Sequence, residues 1–438
     1  MLRRWMVAVL VMALAPVGLS LATPANSAGQ PGRYIVVLNE SANADAVASR
    51  ASGLGATINS LFGSINTLVV SLSQNRVSSL QRDPRVAFVT PDRPVRLLAG
   101  EAQAFSTSGV PTGVMRIGAA PVAGAANPAK KAAVAVLDTG IMPRPDLNVV
   151  GGIDCASDLL GDLLGGGGAK TKDNNGHGTH VAGTVGAIDT GQGIVGVSPG
   201  TPLYAVRVFS SFGAGSLSNV VCGLNWVAEN AAANNIKVVN MSLGGEGTDD
   251  GNCGITDQDA FHAAVCRVTA AGVTVVVAAG NSKEDLANSV PANYDEVLAV
   301  TAMADFDGKP GGLMATTATA ACAAKSLDDV AATFSNYATP GAPDADHVIA
   351  APGVCIASTW NDGKFKVISG TSMASPHVAG LVARCIDAGP CAGMTPAQII
   401  VKLKADAAAR TADQGFLGDS HRPVDGKFYG NLVNDLGY

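Results

Sequence analysis

The sequence predicts an α/β protein: a parallel sheet covered by helices on both faces, preceded by a smaller α+β unit. Apolar runs such as "VTVVVAAG" show no polar alternation, which is typical of strands buried on both faces. Amphipathic segments of helical period, such as "SLSNVVCGLNWVAENAA", lie between those runs. This alternation of strands and helices indicates a parallel sheet with crossover helices.

The front segment, from Gly32 onward, has its own pattern. Four segments predict strands, "RYIVVL", "ATINSLF", "INTLVVSL" and "RVAFV", and two predict helices, "ANADAVASRAS" and "QNRVSSLQ". The resulting order, β-α-β-β-α-β, is the ferredoxin-like arrangement. Residues 90–109 then become rich in Pro, Gly, Ser and Arg, which predicts a linker.

The larger part alternates regularly. Strands are predicted at "AAVAVL", "LYAVRVF", "IKVVNMSL", "VTVVVAAG", "VLAVTA" and "VIAAP", and helices at "HGTHVAGTVGAI", "SLSNVVCGLNWVAENAA", "DQDAFHAAVCRVTAAG" and from Ser372 and Thr395. Residues 155–170 and 307–333 are expected to be loops. Asp138, Ser242 and Asn281 each follow a predicted strand end, where reactive groups collect in parallel sheets.

Residues 1–28 have the features of a secretory signal peptide. Arg3 and Arg4 precede an apolar stretch, and small residues offer cleavage sites at Ala22, Ala25 and Ala28. The alternative is a membrane anchor, but roughly 17 apolar residues broken by Pro and Gly are short for a span. We therefore expect a secreted, extracellular protein without a membrane anchor in its mature form.

Cysteine usage agrees with export. The chain has eight Cys, all after residue 150, so four disulfides are the default expectation for an exported protein. Zinc is disfavoured because no CxxC pair is present. Pairing in sequence order is a guess: Cys155–Cys222, Cys253–Cys266, Cys322–Cys355 and Cys385–Cys391.

Charge is distributed unevenly. The formal net charge is −6, but residues 1–98 carry 9 Lys and Arg against 4 Asp and Glu. The front part is therefore basic and the remainder acidic, so the two can attract each other. No basic patch or motif indicates a nucleic-acid partner.

Three short strings carry candidate chemistry: "VLDTG" with Asp138, "NGHGTHVAG" with His177 and "GTSMASPHVAG" with Ser372. A serine hydroxyl is a poor nucleophile unless a neutral imidazole takes its proton and a carboxylate fixes the imidazole tautomer. A strand end and two helix starts can meet above a parallel sheet. His180 lies three residues after His177, but without an HExxH glutamate it is expected to be structural.

These strings, in the order Asp, His, Ser, resemble the subtilisin-like serine proteases from about Ala102 to the C-terminus. The resemblance implies the subtilisin-like fold and hydrolysis of peptide bonds through an acyl-enzyme. Asp138 is then the orienting acid, His177 the general base and Ser372 the nucleophile. Asn281, which ends "VVVAAGN", is implied to donate its amide to the oxyanion, together with the Ser372 backbone N–H.

The resemblance also implies a substrate cleft between two edge segments, "NMSLGG" and "FGAGSL". Its walls are small or apolar, so we expect broad cleavage after medium or large apolar residues. The implied substrate-binding residues are Ser242, Leu243, Gly244, Ala278, Ala279, Gly280, Gly213, Gly215 and Leu217.

The front unit resembles the inhibitory propeptide of the same family, because "RYIVVL" and "RVAFVTPD" match its first and last strands. The implied organisation is a signal peptide over 1–28, a propeptide over 29–99 and a catalytic domain over 100–438. The segment "RPVRLLAGEAQ" is then expected to lie through the active site until self-cleavage, between about Arg96 and Ser108. An ordinary N-terminal domain is the alternative.

No cofactor is expected for the chemistry, and calcium is possible as a structural ion. Asp146 and Asp305 align with calcium ligands in the family, although Thr190 replaces an expected Asn near the first site. A solvated surface carboxylate is the alternative for each. Polypeptide substrates and the chain's own propeptide are the expected partners, and the mature protein is expected to be a monomer.

Two rival functions remain at this stage. A catalytically inactive family member acting as a binding protein is disfavoured, because all four chemical positions carry the expected residues. A serine hydrolase such as an esterase is disfavoured because the GxSxG motif and the Ser-Asp-His order are missing.

Overall fold

A computed structural model describes residues 31–98, 100, 102–105, 109–119, 131–156, 171–191, 193–312, 327–435 and 437–438. The proposed signal peptide, Gly165–Gly168 and Cys322 lie outside these residues. Within the described residues, no helix has the length and apolarity that crossing a bilayer requires.

The N-terminal unit has the predicted β-α-β-β-α-β order. Its elements are β1 (Pro31–Leu38), α1 (Ala44–Gly53), β2 (Thr57–Phe62), β3 (Thr67–Ser73), α2 (Gln74–Gln81) and β4 (Val86–Pro91). The sheet order is β2-β3-β1-β4, and every pair is antiparallel. Tyr34, Val36 and Leu38 pack with residues of both helices, whereas Ile35 and Val37 pack against the larger part of the molecule. Successive residues of β1 are therefore buried on opposite faces of its sheet, and this alternation fixes the register in which β1 pairs with its neighbours.

The larger part follows the predicted alternation and adds short strands. Between β4 and residue 246 the elements are β5 (Pro94–Leu97), β6 (Gln103–Phe105), α3 (Thr112–Arg116), β7 (Ala133–Asp138), β8 (Val149–Asp154), α4 (His177–Gly186), β9 (Leu203–Arg207), β10 (Ala214–Ser216), α5 (Leu217–Asn230), β11 (Ile236–Met241) and β12 (Leu243–Glu246).

Beyond β12, the elements are α6 (Ala260–Ala270), β13 (Thr274–Ala278), β14 (Ser289–Val290), β15 (Val297–Ala304), β16 (Val330–Ala331), β17 (Val348–Pro352), β18 (Ile356–Thr359), β19 (Phe365–Ile368), α7 (Thr371–Ala388) and α8 (Pro396–Ala408). Among the described residues, short 3-10 helices lie at Leu286–Asn288, Pro343–Asp346 and Ala412–Gln414.

The central sheet has the order β16-β15-β13-β11-β7-β9-β8, and β17 also pairs with β15. All pairs are parallel except the short β16, which is antiparallel to β15. On β7, Val134 and Val136 pack with α4, α7 and α8, whereas Ala135 and Leu137 pack with α5 and α6. The prediction of a parallel sheet covered on both faces is confirmed.

The predicted linker over residues 90–109 is wrong in part, because two of its segments are strands. β5 lies between β10 and β12 as an antiparallel partner of both, and β6 pairs with β19. Neither segment has a strand pattern of its own. Both are extended because a neighbouring edge supplies hydrogen-bond partners, which local sequence does not encode.

Three of the guessed disulfides are present: Cys155–Cys222, Cys253–Cys266 and Cys385–Cys391. Cys355 also forms a disulfide. The proposed pairing of Cys355 with Cys322 involves a residue outside the described part of the chain. Of the loops expected over 155–170 and 307–333, residues 157–170 and 313–326 fall outside it; the described end of the second is not all loop, because Val330–Ala331 forms β16 against β15.

Candidate active site

Asp138 and His177 form a hydrogen bond at the carboxyl edge of the central sheet. Asp138 ends β7 and His177 begins α4, and the His177 Nδ1 to Asp138 Oδ1 distance is 2.7 Å. Both side chains are buried. α4 approaches β7 closely because Gly178 has no Cβ; one there would lie 2.1 Å from the Gly140 carbonyl oxygen. A glycine is therefore needed beside this histidine.

Asp173 holds the start of α4 and was missed by the sequence analysis. Its carboxylate accepts hydrogen bonds from the backbone N–H groups of Asn175, Gly176 and Thr179 and from the hydroxyls of Thr139 and Thr179. A carboxylate at a helix N-terminus satisfies unpaired N–H groups and the helix dipole. The sequence does indicate this role, because an Asp four residues before His177 is a candidate cap for the helix that His177 begins.

The electrostatic environment favours the protonated form of His177. Burial lowers the pKa of the imidazole, but the charge and hydrogen bond of Asp138 outweigh this, and Asp173 adds to them, so the pKa is raised above its ordinary value. The Nε2 atom is buried and has no hydrogen-bond partner among the described residues. An imidazole fixed through Nδ1 in this way can accept a proton at Nε2.

Ser372 is the second residue of α7, and its hydroxyl points to a segment of the same chain. Its Oγ donates to the Leu98 carbonyl oxygen at 2.5 Å, and the Ser242 carbonyl oxygen lies 3.1 Å away. No hydrogen bond links this hydroxyl to His177 Nε2 in the described structure. α4 and α7 pack against each other, so both N-termini lie over the same sheet.

Asn281 contacts the same carbonyl group. Its Nδ2 donates to the Leu98 oxygen at 2.7 Å, while its Oδ1 accepts from the backbone N–H and the hydroxyl of Thr371, each at 2.9 Å. The Thr371 contacts fix the orientation of the amide, so the NH₂ group faces Leu98. An amide N–H donor held against a carbonyl oxygen in this way can stabilise an oxyanion that develops there.

The cleft is the space that β5 fills between its two edges. Gly215 pairs with Val95 on one edge, and Gly244 pairs with Arg96 on the other. A Cβ at Gly213 would lie 3.0 Å from Leu97 Cδ1, and one at Gly244 would lie 3.0 Å from Leu98 Cδ1. Small residues on both edges thus make room for the side chains of an extended strand.

A cavity of about 240 Å³ adjoins Leu98. Four of the predicted substrate-binding residues line it: Gly244, Ala278, Ala279 and Gly280. Three others lie beside strand β5 instead: Gly213, Gly215 and Leu243. Leu217 packs in the same apolar cluster as Val95 of β5. Ser242 does not line this cavity; its Oγ donates to the Ser372 carbonyl oxygen at 2.9 Å, behind the nucleophile candidate.

The two metal candidates have different surroundings. The Asp146 carboxylate is held by both ends of the Arg144 guanidinium, at 2.8 Å each. Asp305 lies with Asp307 and Asp328, with one carboxylate oxygen of each within 4.8 Å of the others. Burial raises the pKa of Asp305 to about 8, Arg116 opposes this, and Asp328 and Asp329 add to it.

His180 has the structural environment that was expected. Its Nε2 donates to the Ile356 carbonyl oxygen at 2.9 Å, and the ring contacts Trp360 edge-on. Burial lowers the pKa of His180 to about 3, with the His177 charge as a further cause. The ring is therefore neutral and packs in the protein interior.

Comparison with known proteins agrees with this geometry. The family model described as the subtilase family matches residues 129–423. M-protease of Shouchella clausii (strain KSM-K16) is 35% identical over 322 residues, which cover 74% of this chain and 69% of that protein. The thermostable alkaline protease of Halalkalibacterium halodurans is 32% identical over 375 residues, covering 85% of this chain and 86% of that protein.

Among solved structures, a cold adapted subtilisin-like serine proteinase superposes with a TM-score of 0.52 at 29% identity. The similarity covers 76% of this chain and all of that one. The family match spans more than half of the sequence, and the relatives exceed 30% identity over most of their length. This chain therefore belongs to the subtilase family of serine endopeptidases.

Proposed function

We propose that the chain is a secreted endopeptidase made as a zymogen, in which Ser372 is the nucleophile, His177 the general base and Asp138 the orienting acid. One observation carries the proposal. The Leu98 carbonyl oxygen accepts a hydrogen bond from Asn281 Nδ2, the proposed oxyanion donor, and Ser372 Oγ lies 2.5 Å from the same oxygen, so the proposed nucleophile and the proposed donor meet at one peptide group. Leu98–Ala99 is then the bond at which the precursor cuts itself.

The reaction follows from these contacts. The Ser372 Oγ bonds to the Leu98 carbonyl carbon while its proton passes to His177 Nε2, which has no hydrogen-bond partner among the described residues. Asn281 and the Ser372 backbone N–H at the start of α7 stabilise the oxyanion. His177 then protonates the Ala99 nitrogen, the C–N bond breaks, and water releases the acyl group from Ser372.

The cavity beside Leu98 supports a broad preference for apolar residues before the scissile bond. Its walls include Ala278, Ala279 and Gly280, and about 240 Å³ adjoins the leucine. Side chains larger than leucine can extend into that space. Its lining also includes the carboxylates Glu246 and Glu284, so burial there is favourable for apolar side chains and costly for acidic ones.

The N-terminal unit has the contacts expected of a tethered inhibitor. Asp92 accepts hydrogen bonds from the Ser218 N–H at 2.8 Å and hydroxyl at 2.7 Å at the start of α5. Arg267 of α6 donates to the Leu38 carbonyl oxygen at 3.2 Å. These contacts hold the unit on two helices while β5 fills the cleft. The basic charge of residues 1–98 against an acidic remainder adds to the attraction.

Export is proposed from the N-terminal sequence and the disulfides. Disulfides form and persist in oxidising compartments, and the described part of the chain has no free cysteine. The relatives include a subtilisin and alkaline proteases. Polypeptides are the proposed substrates, and the mature enzyme is proposed to act as an extracellular monomer.

The cleavage site tests the proposal directly. N-terminal sequencing of the secreted protein is expected to give Ala99 as the first residue. Leu98→Glu is expected to abolish cleavage at this bond, because its carboxylate would be buried in a cavity that Glu246 and Glu284 also line. Leu98→Phe is the matched control and is expected to leave the cut in place. Processing of the Glu variant at the same bond would contradict the assignment of Leu98.

We also propose that Asp305, with Asp307 and Asp328, holds a structural calcium ion. Asp305 Oδ1 is buried without a hydrogen-bond partner, and its nearest cation is Arg116 Nε at 3.5 Å. Burial raises the pKa of Asp305, so its ionised form is disfavoured unless a cation neutralises it, and oxygen ligands suit Ca²⁺. Asp146 is a weaker candidate because Arg144 already neutralises it.

Calcium removal separates the two candidates. A chelator is expected to lower the Tm of the wild type by roughly 5 °C, because the folded state loses its bound ion. Asp305→Asn is expected to remove this response, whereas Asp146→Asn retains it. Differential scanning calorimetry with and without calcium measures both. A chelator response that survives in Asp305→Asn and disappears in Asp146→Asn would assign the ion to the other site.

A further inference from the structure

Arg93 is the sixth residue before the proposed scissile bond, counting Leu98 as the first. Its backbone continues the pairing of β5 along the edge formed by β10 and the start of α5, because Leu217 N donates to the Arg93 carbonyl oxygen at 2.8 Å. Ser216 pairs with Pro94 immediately beside it. The edge strand therefore guides an extended chain as far as this sixth position.

The Arg93 side chain binds an acidic group of the larger part of the molecule. Its Nη2 lies 3.3 Å and 3.2 Å from the two Asp259 carboxylate oxygens, and its Nη1 lies 3.3 Å from the Glu246 carbonyl oxygen. These contacts lie at a cavity of about 310 Å³ that Gly247, Thr248 and Asp257 also line. Arginine suits such a site because its planar guanidinium can contact both oxygens of one carboxylate.

Asp259 is fixed by groups that do not belong to the N-terminal unit. It precedes α6, where its Oδ1 accepts from Phe261 N at 2.9 Å, and its Oδ2 accepts from the buried Tyr294 hydroxyl at 2.6 Å. Its side chain is 11% exposed. Departure of residues 31–98 removes Arg93 but leaves both of these donors. The carboxylate is thus preorganised for another cation.

The charge around Asp259 favours a basic ligand. Residues 246–259 carry five carboxylates, Glu246, Asp249, Asp250, Asp257 and Asp259, and no Lys or Arg. A cluster of one sign beside a cleft raises the local concentration of ligands of the opposite sign. A substrate that binds in the extended position of β5, with an arginine at its sixth residue, would place that arginine beside this negative charge, as Arg93 is placed in the precursor.

We propose that Asp259 is a specificity-determining residue that selects polypeptide substrates with arginine at the sixth position before the scissile bond. This inference rests on the proposed function and refines it. It concerns the sixth residue before the scissile bond, which does not contact the cavity beside Leu98. Arg93 occupies the site in the precursor, and a substrate arginine occupies it in the mature enzyme. We expect the contact to be made equally in the ground state and the transition state, so that its loss raises KM and leaves kcat unchanged.

Matched peptides test the inference. The reference is the decapeptide Arg-Pro-Val-Arg-Leu-Leu-Ala-Gly-Glu-Ala, which repeats residues 93–102, and its first residue is replaced by Ala or Glu. The mature enzyme is expected to cleave the Arg peptide with a kcat/KM about three- to tenfold above the Ala peptide, through KM, as a partly exposed ion pair allows. The Glu peptide is expected to be poorer still, and added salt is expected to narrow the differences.

Asp259→Asn keeps an acceptor for Phe261 N but removes the charge, and it is expected to make the Arg and Ala peptides equal. Asp257→Asn, a neighbour of the same cavity without an Arg93 contact, is the matched control and is expected to keep the preference. Equal cleavage of all three peptides by the wild type would overturn the inference and leave the proposed function intact. Failure to cleave any peptide would remove both.

Discussion

Ser372→Ala is expected to lower kcat by about 10⁶-fold and to leave the secreted chain uncut after Leu98, a magnitude known from the same substitution in subtilisin. The hydroxyl forms the covalent bond to the acyl group, and methyl cannot replace it. N-terminal sequencing measures the loss of self-cleavage. Labelling by a fluorophosphonate probe measures the loss of the nucleophile independently of any substrate.

Ser375→Ala is the matched control, because Ser375 lies one turn further along α7. Its hydroxyl is buried and donates to Asn240 Oδ1 at 2.8 Å. We expect this variant to lose about 1 kcal/mol of stability and to retain self-cleavage and probe labelling. A Ser372→Ala chain that still matures with purified protein alone would contradict the role of Ser372.

Asp138→Asn is expected to lower kcat by about 10⁴-fold while leaving the fold intact. Asp138 Oδ1 accepts hydrogen bonds from His177 Nδ1 and from Thr139 N, both at 2.7 Å. An amide in its place can present its NH₂ group to Nδ1, which then carries no proton, so Nε2 is protonated and cannot accept the Ser372 proton. Single-turnover kinetics on a purified, folded variant measures this effect.

The pH profile of the same variant distinguishes orientation from general damage. In the wild type the active imidazole is neutral and its pKa is raised by Asp138, so kcat/KM is expected to rise with pH through a midpoint above about 6.5. Removing the negative charge lowers that pKa. The midpoint is therefore expected to move to lower pH in Asp138→Asn, and an unchanged midpoint would show that this carboxylate does not act on His177.

Much of the fold could be predicted from local sequence. Strands such as "VTVVVAAG" are apolar throughout because both faces of the parallel sheet are covered, and α8 begins at the Thr395 N-cap that its sequence suggests. The acidic, imidazole and hydroxyl candidates each lie in a string of small residues. Their order along the chain was sufficient to suggest the chemistry.

Features that depend on contacts between distant parts of the chain could not be predicted from local sequence. β5 contains Pro94 and Arg96 without a strand pattern, and it is extended only because two distant edges pair with it. The contact between Arg93 and Asp259 spans 166 positions, so neither residue signals the other. Asp173 was missed for a different reason, since an Asp before a helix most often caps it and has no further role.

Pairing of β5 on both sides has a consequence for the timing of proteolysis. Under the proposed cut after Leu98, a tethered segment becomes a separate molecule, so its rebinding changes from a first-order event into one that depends on concentration. We expect concentrated, newly cleaved enzyme to remain inhibited by this segment. We expect dilution to release the segment and so to start proteolysis.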